Sequence, residues 1–204
     1  MPQSCTDNLT DDELYNRFLL GDKDSYDQLM IRYGDSLTTY LYGYLKSWED
    51  AEDMMIEAFA RIMAKAPHIS EGAFRSYLYK TGRNLSIRFH ERLLHLKAFS
   101  MDGLDEEALD SVLSQASDRA PDDSPEERDI WKDEKKKALN LCLDRIEPEL
   151  REALWLIYAE DMTYAQAAEI MGVNTKRIDH LLARGKKVMK SELEKEGVTD
   201  DYDD

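Results

Sequence analysis

Glycine, proline and cysteine are scarce in this chain of 204 residues, which contains 9, 5 and 2 of them, respectively. So few turn-forming residues argue against a protein built from many short strands. No apolar run approaches the roughly 18 residues that a membrane-spanning helix requires, and residues 1–10 lack the apolar core of a secretory signal. We therefore expect an all-α cytoplasmic protein without membrane insertion, in which Cys5 and Cys142 form no disulfide.

Recognisable catalytic and metal-binding sets are also missing. The histidines form no ligand group with a cysteine or carboxylate at a known metal spacing; they are His68, His90, His95 and His180. The chain has no glycine-rich phosphate loop, and we find no pairing of a nucleophile with a base. We expect no metal, no cofactor, no small-molecule substrate and no enzymatic activity.

Charge is abundant but unevenly distributed. The 43 acidic and 27 basic residues give a net charge of −16, which on average repels nucleic acid. Residues 61–99, however, contain eight bases against two acids, and residues 169–191 contain six bases against two acids. Residues 100–134 contain 13 acids and three bases. This segregation indicates two basic surfaces in an otherwise acidic protein.

The apolar pattern predicts two helical domains. Spacings of three and four residues predict four helices between residues 10 and 96, the first starting near Asp11 and the last covering residues 74–94. Gly34 and Gly43 weaken the expectation that the second helix is continuous. We expect the domains at residues 1–97 and 135–197, a flexible acidic linker at 98–134, and a disordered acidic tail at 198–204.

The C-terminal domain carries the signals of a helix-turn-helix. Pro148 suits the first turn of one helix. Thr163 and Gln166 form a capping-box pattern for the next, which should end at Gly172, and Asn174 is a suitable cap for the last helix. Side chains suited to base edges and phosphates follow, namely Thr175, Lys176, Arg177, His180, Arg184 and Lys187. The alternative is an ordinary solvated basic face on a helical bundle.

Three segments together resemble a known family. The sequence ELREALWLIYAEDMTYAQAAEIMGVNTKRIDHLLARGKKVMKSEL, from residue 149, resembles region 4 of bacterial sigma factors of the sigma-70 superfamily, most of all the small extracytoplasmic-function (ECF) group. DAEDMMIEAFARIM, from residue 50, resembles the family's core-polymerase-binding helix. FRSYLYKTGRNLSIRF, from residue 74, resembles the segment that reads the −10 element and melts the promoter. The resemblance covers residues 10–97 and 135–195.

The resemblance implies an alternative sigma factor that binds core RNA polymerase and directs promoter recognition, DNA melting and transcription initiation. Its acidic stripe, Asp50, Asp53 and Glu57, would bind the coiled coil of the polymerase β′ subunit, and the β flap would be a further contact. The expected −10 contacts are His68, Phe74, Arg75, Tyr77, Tyr79, Lys80, Arg83, Asn84 and Arg88. The six donors that follow Asn174 would bind the −35 element, and an anti-sigma factor is a common partner in the family.

Two positions depart from the family pattern. Asp179 and Leu181 stand where relatives usually have lysine and arginine, which predicts an unusual −35 element. Asp179 would repel phosphate but accept a hydrogen bond from a cytosine amino group. Two alternatives stay open, a helix-turn-helix regulator that does not bind polymerase and a polymerase-binding decoy without initiation activity.

Overall fold

The computed structural model describes residues 9–100, 142–143 and 145–195. All regular secondary structure in these residues is helical, which confirms the predicted all-α fold. The chain divides into two compact units, Met1–Pro121 and Asp122–Asp204. The predicted tail at 198–204 lies outside the described residues, as does the predicted linker beyond its first three positions.

The described part of the N-terminal unit, residues 9–100, contains four helices, namely α1 (Asp11–Leu19), α2 (Lys23–Leu45), α3 (Trp48–Lys65) and α4 (Phe74–Ser100). Side chains cap the first three, because Thr10, Asp22 and Ser47 each accept a hydrogen bond from a backbone N–H of the first turn. Thr10 and Glu13 complete a capping box on α1. Helix α1 therefore begins at the predicted residue.

Two glycines in this unit have opposite surroundings. Helix α2 runs without a break through Gly34 and Gly43, so the suspected interruption is absent. A Cβ built on Gly43 would meet nothing within 4 Å. On Gly82 of α4 it would lie 3.2 Å from a methyl carbon of Leu41. The absence of a side chain at Gly82 therefore lets α4 pack closely against α2.

The core of the N-terminal unit lies between all four helices. Large side chains from each are almost completely buried, among them Leu14, Leu29, Leu37, Leu41, Phe59, Phe74, Leu78 and Tyr79. Burial of a large apolar side chain stabilises a fold by about 1.5–3 kcal/mol. This shared core holds α4 and the loop before it against the other helices.

The C-terminal unit contains α5 (Pro148–Leu154), a π-helical segment (Trp155–Ala159), α6 (Tyr164–Met171) and α7 (Thr175–Lys195). Pro148 occupies the first turn of α5, as predicted. Gly185 of α7 packs against α5, since a Cβ there would lie 3.1 Å from Leu154. The fully or nearly fully buried residues include Cys142, Leu150, Leu156, Ala167, Ile170, Ile178, Leu181 and Leu182.

The π-helical segment changes which residues point inward. The backbone N–H of Glu160 donates to the carbonyl of Trp155 at 3.1 Å, an i to i+5 bond, and the Trp155 indole donates to the Glu160 carboxylate at 3.1 Å. A regular helical period continued from Leu150 and Leu154 would turn Tyr158 towards the core, but this side chain is 55% exposed, while Leu156 is fully buried. The difference arises because a π turn adds a residue to the helical repeat.

Candidate nucleic-acid interface

The turn between α6 and α7 is built by the predicted caps. The Gln166 N–H donates to Thr163 Oγ1, and the Thr163 N–H donates to Gln166 Oε1 at 2.9 Å. Helix α6 ends at Gly172, whose φ of 69° is in the left-handed region. The Arg177 N–H then donates to Asn174 Oδ1 at 2.8 Å and caps α7. Helix, tight turn and helix are thus confirmed.

Helix α7 has one buried face and one exposed face. Ile178, Leu182 and Gly185 are buried against the rest of the unit. All six side chains predicted to contact the −35 element are exposed on this helix, and they are Thr175, Lys176, Arg177, His180, Arg184 and Lys187. The packing of the opposite face therefore leaves these donors accessible to a long anionic ligand such as duplex DNA.

The two departures from the family pattern have different consequences. Leu181 is completely buried and belongs to the core of the C-terminal unit. Our interpretation of Leu181 as a change in the DNA-reading surface was therefore wrong, because a buried side chain does not reach a base edge. Asp179 is exposed on α7, next to His180 in sequence, and remains a candidate determinant of DNA sequence preference.

Two glutamates, one just before α5 and one within it, form ion pairs with arginines of α7. Glu149 receives two bonds from Arg177, from Nη2 at 2.6 Å and from Nε at 3.3 Å. Hydrogen bonding to this carboxylate, together with its charge, raises the pKa of the Arg177 guanidinium. Glu147 accepts a bond from Arg184 Nη2 at 3.3 Å. Both pairs are at the surface, so DNA contact by either arginine competes with an existing partner.

The predicted acidic stripe lies along α3. Asp53 is exposed, while Asp50 and Glu57 are half-buried. Glu57 accepts a hydrogen bond from Arg61 Nε at 2.6 Å, one helical turn further on. Apolar residues on other sides of the helix, including Ala51, Ala58, Phe59 and Ile62, pack into the core. Asp53 is therefore the most accessible of the three carboxylates.

Two of the expected −10 contacts are core residues. Phe74 is 1% exposed and Tyr79 is fully buried, with its hydroxyl 2.8 Å from Ser36 Oγ. We correct their assignment as DNA contacts, because neither side chain is accessible to a base. The aromatic surface of Tyr79 instead packs against the Tyr40 ring, with a centroid separation of 5.3 Å.

The other expected −10 residues remain at least partly accessible. His68, Asn84 and Arg88 are exposed, and Arg75, Tyr77, Lys80 and Arg83 are half-buried. The Arg75 guanidinium lies over two aromatic rings, 5.9 Å from the Tyr33 ring centre and 5.7 Å from that of Tyr79. Such cation–π contacts orient the guanidinium. Helix α4 thus presents a basic surface, and aromatic rings support part of it from below.

Metal-binding and membrane-spanning features are not seen in residues 9–100, 142–143 and 145–195. No three His, Cys, Asp or Glu side chains in these ranges are grouped so that they could hold a metal ion. None of the helices there is both long and apolar enough to cross a membrane.

Comparison with known proteins identifies the family. Residues 29–94 match the family described as Sigma-70 region 2, and residues 136–189 match Sigma-70, region 4, so that the two matches cover more than half of the chain. The chain belongs to the sigma-70 family. Its region 2 contains α3 and most of α4, with the acidic stripe and the basic surface. Its region 4 contains α6, the turn that follows it and most of α7.

Individual relatives support membership of the ECF group within the sigma-70 family. The chain is 26% identical to the ECF RNA polymerase sigma factor SigE of Mycolicibacterium smegmatis over 172 residues, which is 84% of this chain and 62% of SigE. It is 25% identical to the ECF sigma factor BldN of Streptomyces coelicolor over 186 residues, 90% of this chain and 66% of BldN. The chain thus spans less than two thirds of the length of SigE.

A solved structure shares the fold of this sigma-70 family member. The sigma factor RpoE of Bartonella quintana, in complex with the anti-sigma factor NepR, matches with a TM-score of 0.59 and 20% identity. The match covers 83% of this chain and 96% of that one. At this identity the similarity shows a common fold.

Sequence reasoning missed four residues that organise the two regions. Glu147 and Glu149 bind arginines 37 and 28 residues away, respectively. Asp12 and Tyr15 of α1 bond to the loop before α4 across 60 and 52 residues. Periodicity and capping patterns extend over only a few residues, so no local signal marks contacts at such separations.

Proposed function

We propose that this sigma-70 family protein binds core RNA polymerase, directs it to promoters and assists their opening, without catalysing a reaction itself. The observation that carries the proposal is the exposure of six donor side chains on α7, directly after a capped helix-turn-helix turn. Region 2, with its basic surface on α4 and acidic stripe on α3, supplies the second half of the proposed promoter reader.

In the proposed complex, α7 enters the major groove of the −35 element. Lysine and arginine side chains neutralise phosphates, and the residues nearest the turn contact base edges. Asp179, exposed among these donors, accepts from a cytosine amino group and so disfavours other bases at that position. The −35 preference of this protein would then differ from that of relatives with a basic residue there.

Region 2 has two proposed tasks. Helix α4 and the loop before it bind the −10 element, where cations pair with phosphates of the displaced strand and accessible aromatic groups stack on bases. Of the predicted contacts we retain the accessible ones, namely His68, Arg75, Tyr77, Lys80, Arg83, Asn84 and Arg88. The acidic stripe on α3 binds the coiled coil of the β′ subunit, and the β flap is the proposed contact of region 4.

We also propose an anti-sigma factor as a regulatory partner. RpoE, which shares this fold, was solved in complex with the anti-sigma factor NepR. A partner of this kind would compete with core polymerase for the same protein. Co-purification of the full chain from its source organism, followed by identification of bound proteins, tests this part of the proposal.

Promoter-dependent transcription tests the main proposal. The full chain and purified core polymerase are mixed with a DNA library randomised in the −35 and −10 elements, and the transcripts are sequenced. We expect transcripts that share both elements and depend on the added chain. Core binding in a pull-down without any transcript would favour the decoy, and DNA binding without core binding would favour the regulator.

A further inference from the structure

The loop before α4 is bonded to α1 at both of its ends. The Tyr15 hydroxyl donates to the Pro67 carbonyl at 2.8 Å. The Gly72 N–H donates to Asp12 Oδ2 at 2.7 Å. Asp12 and Tyr15 are three positions apart on one helix and therefore lie on the same face of α1. Two side chains of α1 thus fix the backbone where the loop begins and where it ends.

Helix α1 is itself anchored to α2. Asp11 accepts a hydrogen bond from Arg32 Nη1 at 2.5 Å and another from the Tyr33 hydroxyl. Arg32 Nη2 also donates to the Leu9 carbonyl at 3.0 Å. Because α1 is held to the body of region 2 in this way, it provides a stable support for the loop.

Tyr15 connects the loop to the start of α4 as well. Its side chain is only 5% exposed, and its ring centre lies 5.4 Å from that of Phe74, the first residue of α4. Burial is the main cause of the raised pKa of Tyr15, so the hydroxyl stays protonated and can donate its hydrogen bond. The same side chain therefore packs on the helix and bonds to the loop.

Between these anchors the loop presents its polar side chains to solvent. His68, Ser70 and Glu71 are exposed. The Ala73 N–H donates to the Ser70 carbonyl at 3.0 Å, and Gly72 has a φ of 71°, so the loop ends in a tight turn. A fixed backbone with outward side chains is preorganised for binding, because less conformational entropy is lost when a ligand is bound.

We propose that Asp12 and Tyr15 are positioning residues for −10 recognition, which hold the loop at 68–73 in the shape that discriminates between bases. The inference rests on the proposed function, since it assumes that this loop faces the −10 element. Neither side chain contacts DNA in this scheme. Their effect is to keep the loop ordered before DNA arrives, and its loss should reduce base selectivity more than polymerase binding.

Substitutions separate the two hydrogen bonds from the rest of the fold. Tyr15→Phe removes one hydroxyl and keeps the ring against Phe74, and Asp12→Ala removes the acceptor for Gly72. Asp12→Asn keeps an acceptor oxygen for the Gly72 N–H and should therefore preserve −10 selectivity. Asn16→Ala is the matched control, because Asn16 is exposed on the same helix and its side chain has no bond to the loop.

The readout is the −10 base preference of polymerase holoenzyme on a randomised promoter library, with the −35 preference measured in the same transcripts. We expect selectivity at the most discriminated −10 position to fall about fivefold for either Asp12→Ala or Tyr15→Phe, which corresponds to roughly 1 kcal/mol per lost hydrogen bond. Asp12→Asn and Asn16→Ala should stay near wild type, and −35 selectivity should not change.

Hydrogen exchange of peptides covering residues 66–77 shows whether the loop was released. Faster exchange in the Asp12→Ala, Tyr15→Phe double variant, with unchanged −10 selectivity, would overturn the inference and leave the proposed function intact. An equal fall in −10 and −35 selectivity with a lower melting temperature would overturn it in favour of a purely structural role. A wild-type chain without any −10 preference would overturn the proposed function and, with it, this inference.

Discussion

The ion pair between Glu149 and Arg177 makes a quantitative prediction about −35 binding. Arg177 is one of the donors proposed to contact DNA, yet its guanidinium makes a forked contact with Glu149, at 2.6 and 3.3 Å. Binding of Arg177 to a phosphate or base requires that this contact breaks. Glu149→Gln removes the charge, keeps the shape of the side chain, and should therefore strengthen −35 binding.

The exposure of the pair limits the size of the effect. The Arg177 and Glu149 side chains are 42% and 44% exposed, so this is a surface ion pair. Exposed pairs contribute little because solvent screens them, and forked geometry favours the upper end of what such pairs contribute. Loss of the competing carboxylate should therefore raise the affinity for the −35 element by up to about fivefold.

A double-mutant cycle assays the prediction. Fluorescence anisotropy measures holoenzyme binding to a promoter fragment selected by this protein, at about 0.15 M salt, for the single variants Glu149→Gln and Arg177→Ala and for the double variant. The gain in affinity from Glu149→Gln should disappear in the double variant, which lacks the Arg177 side chain, because the two substitutions remove the same interaction. Glu194→Gln is the charge-matched control, since Glu194 is exposed near the far end of α7.

Two results would contradict a competition between Glu149 and DNA for Arg177. A fall in affinity on Glu149→Gln would mean that the carboxylate positions Arg177 for DNA rather than competing with it. A gain of equal size in Glu149→Gln and Glu194→Gln would mean that only the net charge matters. Residue 194 lies about 25 Å along α7 from Arg177, well beyond a Debye length of about 8 Å, so a specific effect should be confined to Glu149.

Three further predictions concern the N-terminal unit. Asp53→Lys on the exposed side of α3 should weaken core-polymerase binding about fivefold or more, measured by competition between sigma factors, whereas Asp27→Lys, exposed on α2, should not. Gly82→Ala should destabilise the unit by about 1–3 kcal/mol, because its Cβ would lie 3.2 Å from a core leucine. Gly43→Ala should stabilise the unit by about 0.5–1 kcal/mol, because a Cβ there would meet nothing within 4 Å. Urea unfolding measures both changes. A hydrogen bond from the Thr10 backbone lowers the pKa of Glu13, so the stabilisation that this pKa shift contributes is present above the ordinary glutamate pKa of 4.5 and is lost as the pH falls through the lowered value. Glu13→Gln should therefore reduce the acid sensitivity of the melting temperature, and equal sensitivity in both proteins would contradict the cap's role.

The helix boundaries were the most predictable part of the structure. Thr163, Gly172 and Asn174 end or begin helices at the predicted residues. Each acts through bonds within about four residues or through its own backbone preference, so the information is local. The six accessible donors of α7 were predictable for a related reason, since a buried stripe at helical spacing leaves the opposite face to solvent.

The orientation of the aromatic residues on α4 was less predictable. Tyr79 was expected to contact DNA but is fully buried, and Phe74 is buried beside Tyr15. Helical periodicity shows which residues share a face, but aromatic residues occur all around this helix, and either face could have been the inner one. Leu181 was misjudged for a different reason, because comparison with a family pattern does not show which positions are buried.

The helical class, the two sigma-70 regions and the positions of most helix ends follow from the amino-acid sequence alone, because these depend on residue preferences and periodic patterns over short distances. What surrounds the proposed promoter contacts depends instead on tertiary packing. Asp12 and Tyr15 at the loop, and Glu147 and Glu149 at α7, act across 28 to 60 residues of chain. Such contacts form only when the packed core brings distant segments together, so they leave no periodic or local pattern in the sequence.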